Sequence, residues 1–147
     1  MLGENGKEIL RTTAKDKYLS DGYAVISADL FMTGEFEGCT RLNGSHGYFT
    51  TFNYTTDAYR TQDAVLLMAV AKNIGEEVTV YATGNAARAT VCALAISEDV
   101  KTAKIESSAL ELTGDEDYLN NFHIPGLCLL GGLKEIVKLS NSKTELI

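Results

Sequence analysis

Residues 78–95, VTVYATGNAARATVCALA, read as an apolar strand, a tight turn and an apolar helix. Many hydrolases mount a nucleophilic serine on this arrangement, inside a Gly-x-Ser-x-Gly motif whose small residues let strand and helix approach closely. Here the five positions hold Ala82, Thr83, Gly84, Asn85 and Ala86. Gly84 stands where the serine would be, so no hydroxyl or thiol is present to attack a carbonyl, and acyl-enzyme chemistry fails at its first step. Thr83, Gly84, Asn85, Ala86 and Ala87 are therefore expected to form a degenerate nucleophile turn, with no catalytic residue assigned. Asn85 and the amides of Ala86 and Ala87 can hold an anion or a small ligand at the helix start. The competing expectation is a simple helix cap with bound water.

The other chemistry-bearing residues form no constellation. His46 and His123 are the only histidines. His123 could serve as a general base, but no acid or nucleophile partner is identifiable around it. His46 lies in a glycine-rich stretch and is expected in solvent. Ser107 and Ser108, at the end of a third apolar run, are the least poor nucleophiles if a working site exists, together with His123. Asp115, Glu116 and Asp117 could ligate a hard cation, yet no EF-hand spacing follows, so a solvated turn or helix start is expected and no metal is assigned. Cys39, Cys92 and Cys128 are odd in number and lack CxxC spacing, which argues against disulfides and structural zinc; Cys92 and Cys128 are expected as reduced thiols in the core. No basic neighbour in sequence lowers the Cys92 pKa. Gly84 alone makes no dinucleotide fingerprint, and Gly131-Gly132 follows no evident strand, so no cofactor is expected.

Those residues sit in a chain of 147, 45% apolar and 22% charged, within the range of one globular domain. A formal charge of −7 with only 13 basic residues offers no electrostatic footprint for nucleic acid. No run approaches a membrane span, and the opening MLGENGKEIL lacks the basic and apolar segments of a secretory signal, so a cytoplasmic chain is expected.

The elements that must position the turn follow from periodicity. Residues 6–19 show an amphipathic helix pattern closed by Ser20-Asp21-Gly22. Residues 23–31, YAVISADLF, lack alternation and predict a strand buried on both faces. Residues 32–54 carry four glycines and no period, predicting a long loop of lid or partner-contact length. Residues 55–73 give the strongest helix, capped by Asp57 or a nearby threonine, with Ala64, Leu67, Met68 and Ala71 on one face. Strands are predicted at 76–83 and 102–107, a helix at 85–97, short helical pieces on either side of Pro125-Gly126, and a further strand from 144 to 147. The alternation predicts an α/β fold: a helix-flanked, mainly parallel sheet of three to four strands.

The chain resembles the alpha/beta-hydrolase superfamily, within it the acetyl xylan esterase-like and dienelactone hydrolase-like branch. The likeness is carried by GKEILRTTAKDKYLSDGYAVISADLFMTGE, by the helix opening from Arg60 to Asp63, by VTVYATGNAARATVCALA and by DEDYLNNFHIPGLCLLGGLKEIVKL. It implies a partial hydrolase core: residues 1–147 as a single truncated domain, without the later strands whose ends carry the family's acid and histidine. It also implies a missing strand between the runs at Tyr23 and Val78. A catalytically inactive relative acting as a binding or oligomeric module is the leading expectation, with a homodimer through exposed sheet edges. The alternatives are a carboxylic ester hydrolase whose site is unusual or completed by a partner, and a small-molecule or anion-binding protein using the Gly84 turn.

Overall fold

In the computed structural model residues 1–36 and 49–147 are described. The fold grows around two helices. α3 (Thr56–Ile74) begins where the Thr55 side chain accepts from the Ala58 amide at 3.2 Å, with Asp57 in the first turn, and ends at Gly75. Its inner face is the one the spacing predicts, with Ala64 and Met68 buried and Leu67 and Ala71 packed partly against the core. α4 (Gly84–Leu94) is apolar nearly all round and is buried from Ala86 onward except at Arg88. Its alanines let it sit close against α3, against α6 (Leu133–Val137) and against β1 (Thr79–Ala82). A helix with no polar face must be enclosed, and this one is.

β1, β2 (Thr102–Ile105) and β3 (Lys143–Leu146) form a parallel sheet in the order β1-β2-β3, with Ala82 beside Ile105 and Ile105 beside Leu146. Two crossovers build it: α4 between β1 and β2, then α5 (Gly114–Asn121) and α6 between β2 and β3. Burial alternates along the strands. Val80, Ala82, Ala103 and Ile105 are buried, whereas Thr79, Tyr81, Thr102 and Lys104 on the opposite face are half-covered. On that face α1 (Ala14–Ser20) sets Tyr18 edge-on to Tyr81, ring centroids 6.2 Å apart.

Four sequence expectations are corrected. Residues 23–31 form no strand; residues 23–29 have no regular structure, and Tyr23 and Ala24 are exposed. A strand needs a ladder partner along its length, and the contact here is local: Leu2 bridges Ala82 in parallel, and the Met1 amine donates to Ile26 O at 2.6 Å. The helix expected over 6–19 is split into a 3-10 segment (Gly6–Arg11) and α1, because the Thr12 hydroxyl donates to Ile9 O at 2.7 Å and draws the backbone out of the ladder. The loop expected over 32–54 includes a 3-10 turn (Gly34–Phe36) and a short helix α2 (Phe49–Phe52); Cys39 and His46 lie outside the described residues. Cys128 is exposed on a 3-10 turn (Leu127–Leu130) in which Leu127 takes the buried position, while Cys92 is buried as expected. Burial, with the nearby Asp57 charge, pushes the Cys92 thiol up to about 12, so it packs as an inert apolar group. Among the described residues no helix is long and apolar enough to cross a membrane.

Candidate functional site

Thr83 ends the extended strand at φ −132°, and Gly84 turns into α4 at φ +57°, in the left-handed region that glycine adopts freely. The turn lies at the carboxyl end of β1, where parallel sheets present ligands. The chain fills that place with its own carboxylates. Gly84 N donates to Glu106 Oε2 at 2.7 Å, and Glu106 Oε1 accepts from the Ser108 hydroxyl at 2.9 Å. On the other side a Cβ added to Gly84 would lie 2.6 Å from Glu4 Cβ and 2.8 Å from Glu4 Oε2. Negative charge at a helix start is favourable, so these groups cap α4 in place of a side chain from Thr83.

The other candidate residues are similarly engaged. Asn85 Oδ1 accepts from Arg88 at 2.7 Å, and Asn85 Nδ2 donates to Glu4 Oε1 at 3.4 Å. The Ala87 amide donates to Thr83 O at 3.3 Å, inside the helix ladder, and Ala86 and Ala87 are buried. The arrangement at Gly84 is therefore a turn with acid on both flanks; an oxyanion or anionic ligand placed there would meet two carboxylates.

Beside the turn lies a shallow polar cleft bordered by Glu4, Asn5, Met32, Thr33 and Arg60. Its walls are held by Arg60, Asp57 and Asp29, which the sequence reading placed at a helix opening or at the end of a strand and gave no part in a site. Arg60 Nε and one terminal nitrogen donate to Phe31 O at 2.9 Å and Met32 O at 3.0 Å, and its other terminal nitrogen lies 3.6 Å from Asp57 Oδ1. Asp57 Oδ2 accepts from His123 N at 2.8 Å. Met32 takes φ +55°, an unusual conformation for a residue with a side chain, and its carbonyl is fixed by Arg60. Asp29 accepts from Lys7 N at 2.6 Å, and this bond together with the Glu35 amide holds its carboxyl below the usual carboxylate range. Gly6 and Gly34 close on Asp29 so tightly that a Cβ at Gly6 would fall 2.1 Å from Oδ1. The signals available in sequence were slight: an Asp and an Arg three apart at a helix start, and a glutamate directly after a strand.

The histidine and serines do not meet. His123 is fixed through its main chain, its carbonyl accepting from Thr55 Oγ1 at 2.5 Å and its amide bound to Asp57. Ser107 Oγ donates to Ile147 O at 3.0 Å, and Ser108 serves Glu106. Asp115, Glu116 and Asp117 form the first turn of α5; Asp117 accepts from Thr113 N at 2.9 Å and from the Asn121 side chain, and the Thr113 bond comes first among the causes that lower its pKa. Among the described residues no group of three His, Cys, Asp or Glu side chains is placed to hold a metal ion.

The fold and site together define a small α/β domain with a glycine turn capped by carboxylates. The chain matches no protein-family model, no curated protein and no solved structure.

Proposed function

We propose that this chain is a non-catalytic member of the alpha/beta-hydrolase type, acetyl xylan esterase-like and dienelactone hydrolase-like, that works as a protein-binding or oligomeric module. One observation carries the proposal: at Gly84 the strand runs into the helix through a single left-handed residue, as a nucleophile elbow does, while a side chain able to attack is absent there and Glu106 accepts from the Gly84 amide. An ester carbonyl polarised there would develop negative charge against Glu4 and Glu106, which opposes acyl transfer. The binding half rests on α3, whose outer face exposes Leu66, Val70 and Ile74 at 57%, 49% and 64%, a stripe at four-residue spacing that no element among the described residues covers. A stripe of this kind suits a second copy of the chain or another protein better than a small ligand.

The test is hydrolysis of short-chain acyl esters, acetylated sugars included, together with a serine-reactive phosphonate probe read by intact mass. Absence of turnover and of adduct is the expected result. Turnover with a single adduct overturns the proposal and locates a nucleophile elsewhere. In sedimentation velocity the chain is expected as a dimer; a monomer at high concentration removes the self-association half and leaves a heterologous partner.

A further inference from the structure

An asparagine followed by glycine is prone to modify itself, because no side chain on the second residue shields its nitrogen from the side-chain amide of the first. The sequence holds two such pairs, Asn5-Gly6 and Asn43-Gly44, and the second lies outside the described residues. Asn5 is exposed, borders the polar cleft beside the Gly84 turn, and makes no side-chain cap bond to the 3-10 segment that follows it. Access alone would make it reactive. The backbone withholds the nucleophile.

In the reaction the Gly6 nitrogen gives its proton to a solvent base and attacks Cγ of Asn5. The new C–N bond closes a cyclic imide, and the side-chain nitrogen leaves as ammonia with a proton from water. Water then opens the ring at either carbonyl, giving aspartate or isoaspartate. Closure needs the Gly6 nitrogen eclipsed with Cβ about the Cα–C bond of Asn5. At ψ 37° that nitrogen lies on the far side of Cα instead. Both ends of the peptide plane are tied there: Gly6 N donates to Gly3 O at 3.1 Å, and Asn5 O accepts from Glu8 N at 3.4 Å. Gly6 is buried at φ +61° against the Asp29 carboxylate, which also accepts from Lys7 N. That charge opposes the amide anion that must attack.

We propose that Asn5-Gly6 is a gated deamidation site: docked on Asp29 the pair is inert, and each local opening of the 3-10 segment exposes it to conversion into aspartate or isoaspartate. For isoaspartate the change is one-way. Its main chain runs through Cβ and Cγ, which adds a methylene directly before Gly6, where a Cβ would already fall 2.1 Å from Asp29 Oδ1. The segment then cannot dock again, and the loosening reaches the Gly84 turn, because Glu4 flanks that turn and Leu2 bridges Ala82. The inference depends on neither the kinship proposed above nor the chemistry at Gly84.

The experiment holds the whole chain in mildly alkaline buffer and maps tryptic peptides over time; residues 1–7 carry Asn5, and residues 42–60 carry Asn43. Asn5 is expected to deamidate at least about tenfold more slowly in the folded chain than in guanidinium chloride, since only the open fraction reacts. The same factor should appear as protection of the Gly6 and Lys7 amides against hydrogen exchange, because one opening releases all three. Asp29→Ala removes a charge-assisted bond of the clamp and should speed Asn5 in the folded chain about tenfold. Asp57→Ala destabilises the chain with that clamp intact and should leave the rate unchanged. Equal rates for Asn5 with and without denaturant would overturn the proposal. So would equal acceleration by the two variants, which makes global unfolding the gate. If Asp29→Ala does not fold, the parent chain decides alone: a mismatch above about tenfold between deamidation and exchange overturns the gate. In the isoaspartate form the Lys7 amide is expected to exchange freely, and retained protection there would overturn the one-way step.

Discussion

Asp57→Ala is expected to lower the unfolding free energy by about 3 kcal/mol, the size measured when one partner of a buried polar network is removed. Asp57 is 1% exposed and joins three parts of the chain: the opening of α3, Arg60 one turn on, and His123 on the segment after α5. Truncation leaves the His123 amide without its acceptor in a part-buried place and takes a carboxylate away from the start of a long helix. For a domain of this size 3 kcal/mol is a fall of roughly 6–12 °C in the melting temperature. Asp57→Asn keeps an oxygen for the His123 amide and should cost about 1 kcal/mol, so the pair of variants separates the hydrogen bond from the charge. Glu135→Ala is the contrasting case, because the 2.6 Å ion pair of Glu135 with Lys138 is exposed on both sides and is worth at most about 0.5 kcal/mol. Thermal unfolding of the three variants beside the parent chain checks the order. A loss under 1 kcal/mol for Asp57→Ala would mean that Arg60 and His123 find other partners and that the network is not what fixes the cleft.

That network shows where sequence reading stops. The helices α3 and α4 and the strands β1 and β2 were legible because each carries its own signal: apolar spacing from Ala64 to Ala71 in α3, a continuous apolar surface in α4, short β-branched runs in the strands. The sharp turn at Gly84 was legible too, since glycine between a strand and a helix of alanines has few other uses. What escaped depends on contacts between distant residues. Residues 23–31 have a strand's composition, yet becoming a strand requires a neighbour along their whole length, and Met1 and Leu2 meet them and β1 only at one end. Thr12 broke a helix through a hydroxyl bond that its periodicity does not record. Glu4 and Glu106 could not be assigned to the turn from sequence, because Glu4 is 80 residues from Gly84 along the chain and the register that brings Glu106 there is a property of the sheet. Cys128 was misjudged for a related reason: in the run Leu127–Leu130 every side chain is apolar, and composition alone does not say which one faces the core.

Gly84→Val is expected to cost about 2–4 kcal/mol, and Gly84→Ser, which restores the hydroxyl that a hydrolase needs, is expected to lose stability without gaining activity. Two effects add in the valine variant. A non-glycine residue at φ +57° costs about 1–2 kcal/mol, and a branched Cβ is worse than most. The new Cβ must also displace Glu4, whose Cβ it would approach to 2.6 Å, an overpacking term of about 1–3 kcal/mol that is reduced because Glu4 is exposed and can move. The double variant Gly84→Ser with Glu4→Gly separates them: removing Glu4's side chain recovers the clash and leaves the backbone strain. Activity should stay at background in both serine variants. The hydroxyl would have no imidazole base, since His123 is held through its main chain on the Thr55–Asp57 side, and the charge developing on an attacked carbonyl would meet Glu106 on the Gly84 amide. Chemical denaturation gives the stability order, and the phosphonate probe gives the chemistry. An unchanged midpoint for Gly84→Val would show that the turn is looser than its geometry, and the elbow assignment would fall with it; a phosphonate adduct on Gly84→Ser would mean instead that the mount still knows how to activate a nucleophile, and that only the serine was lost.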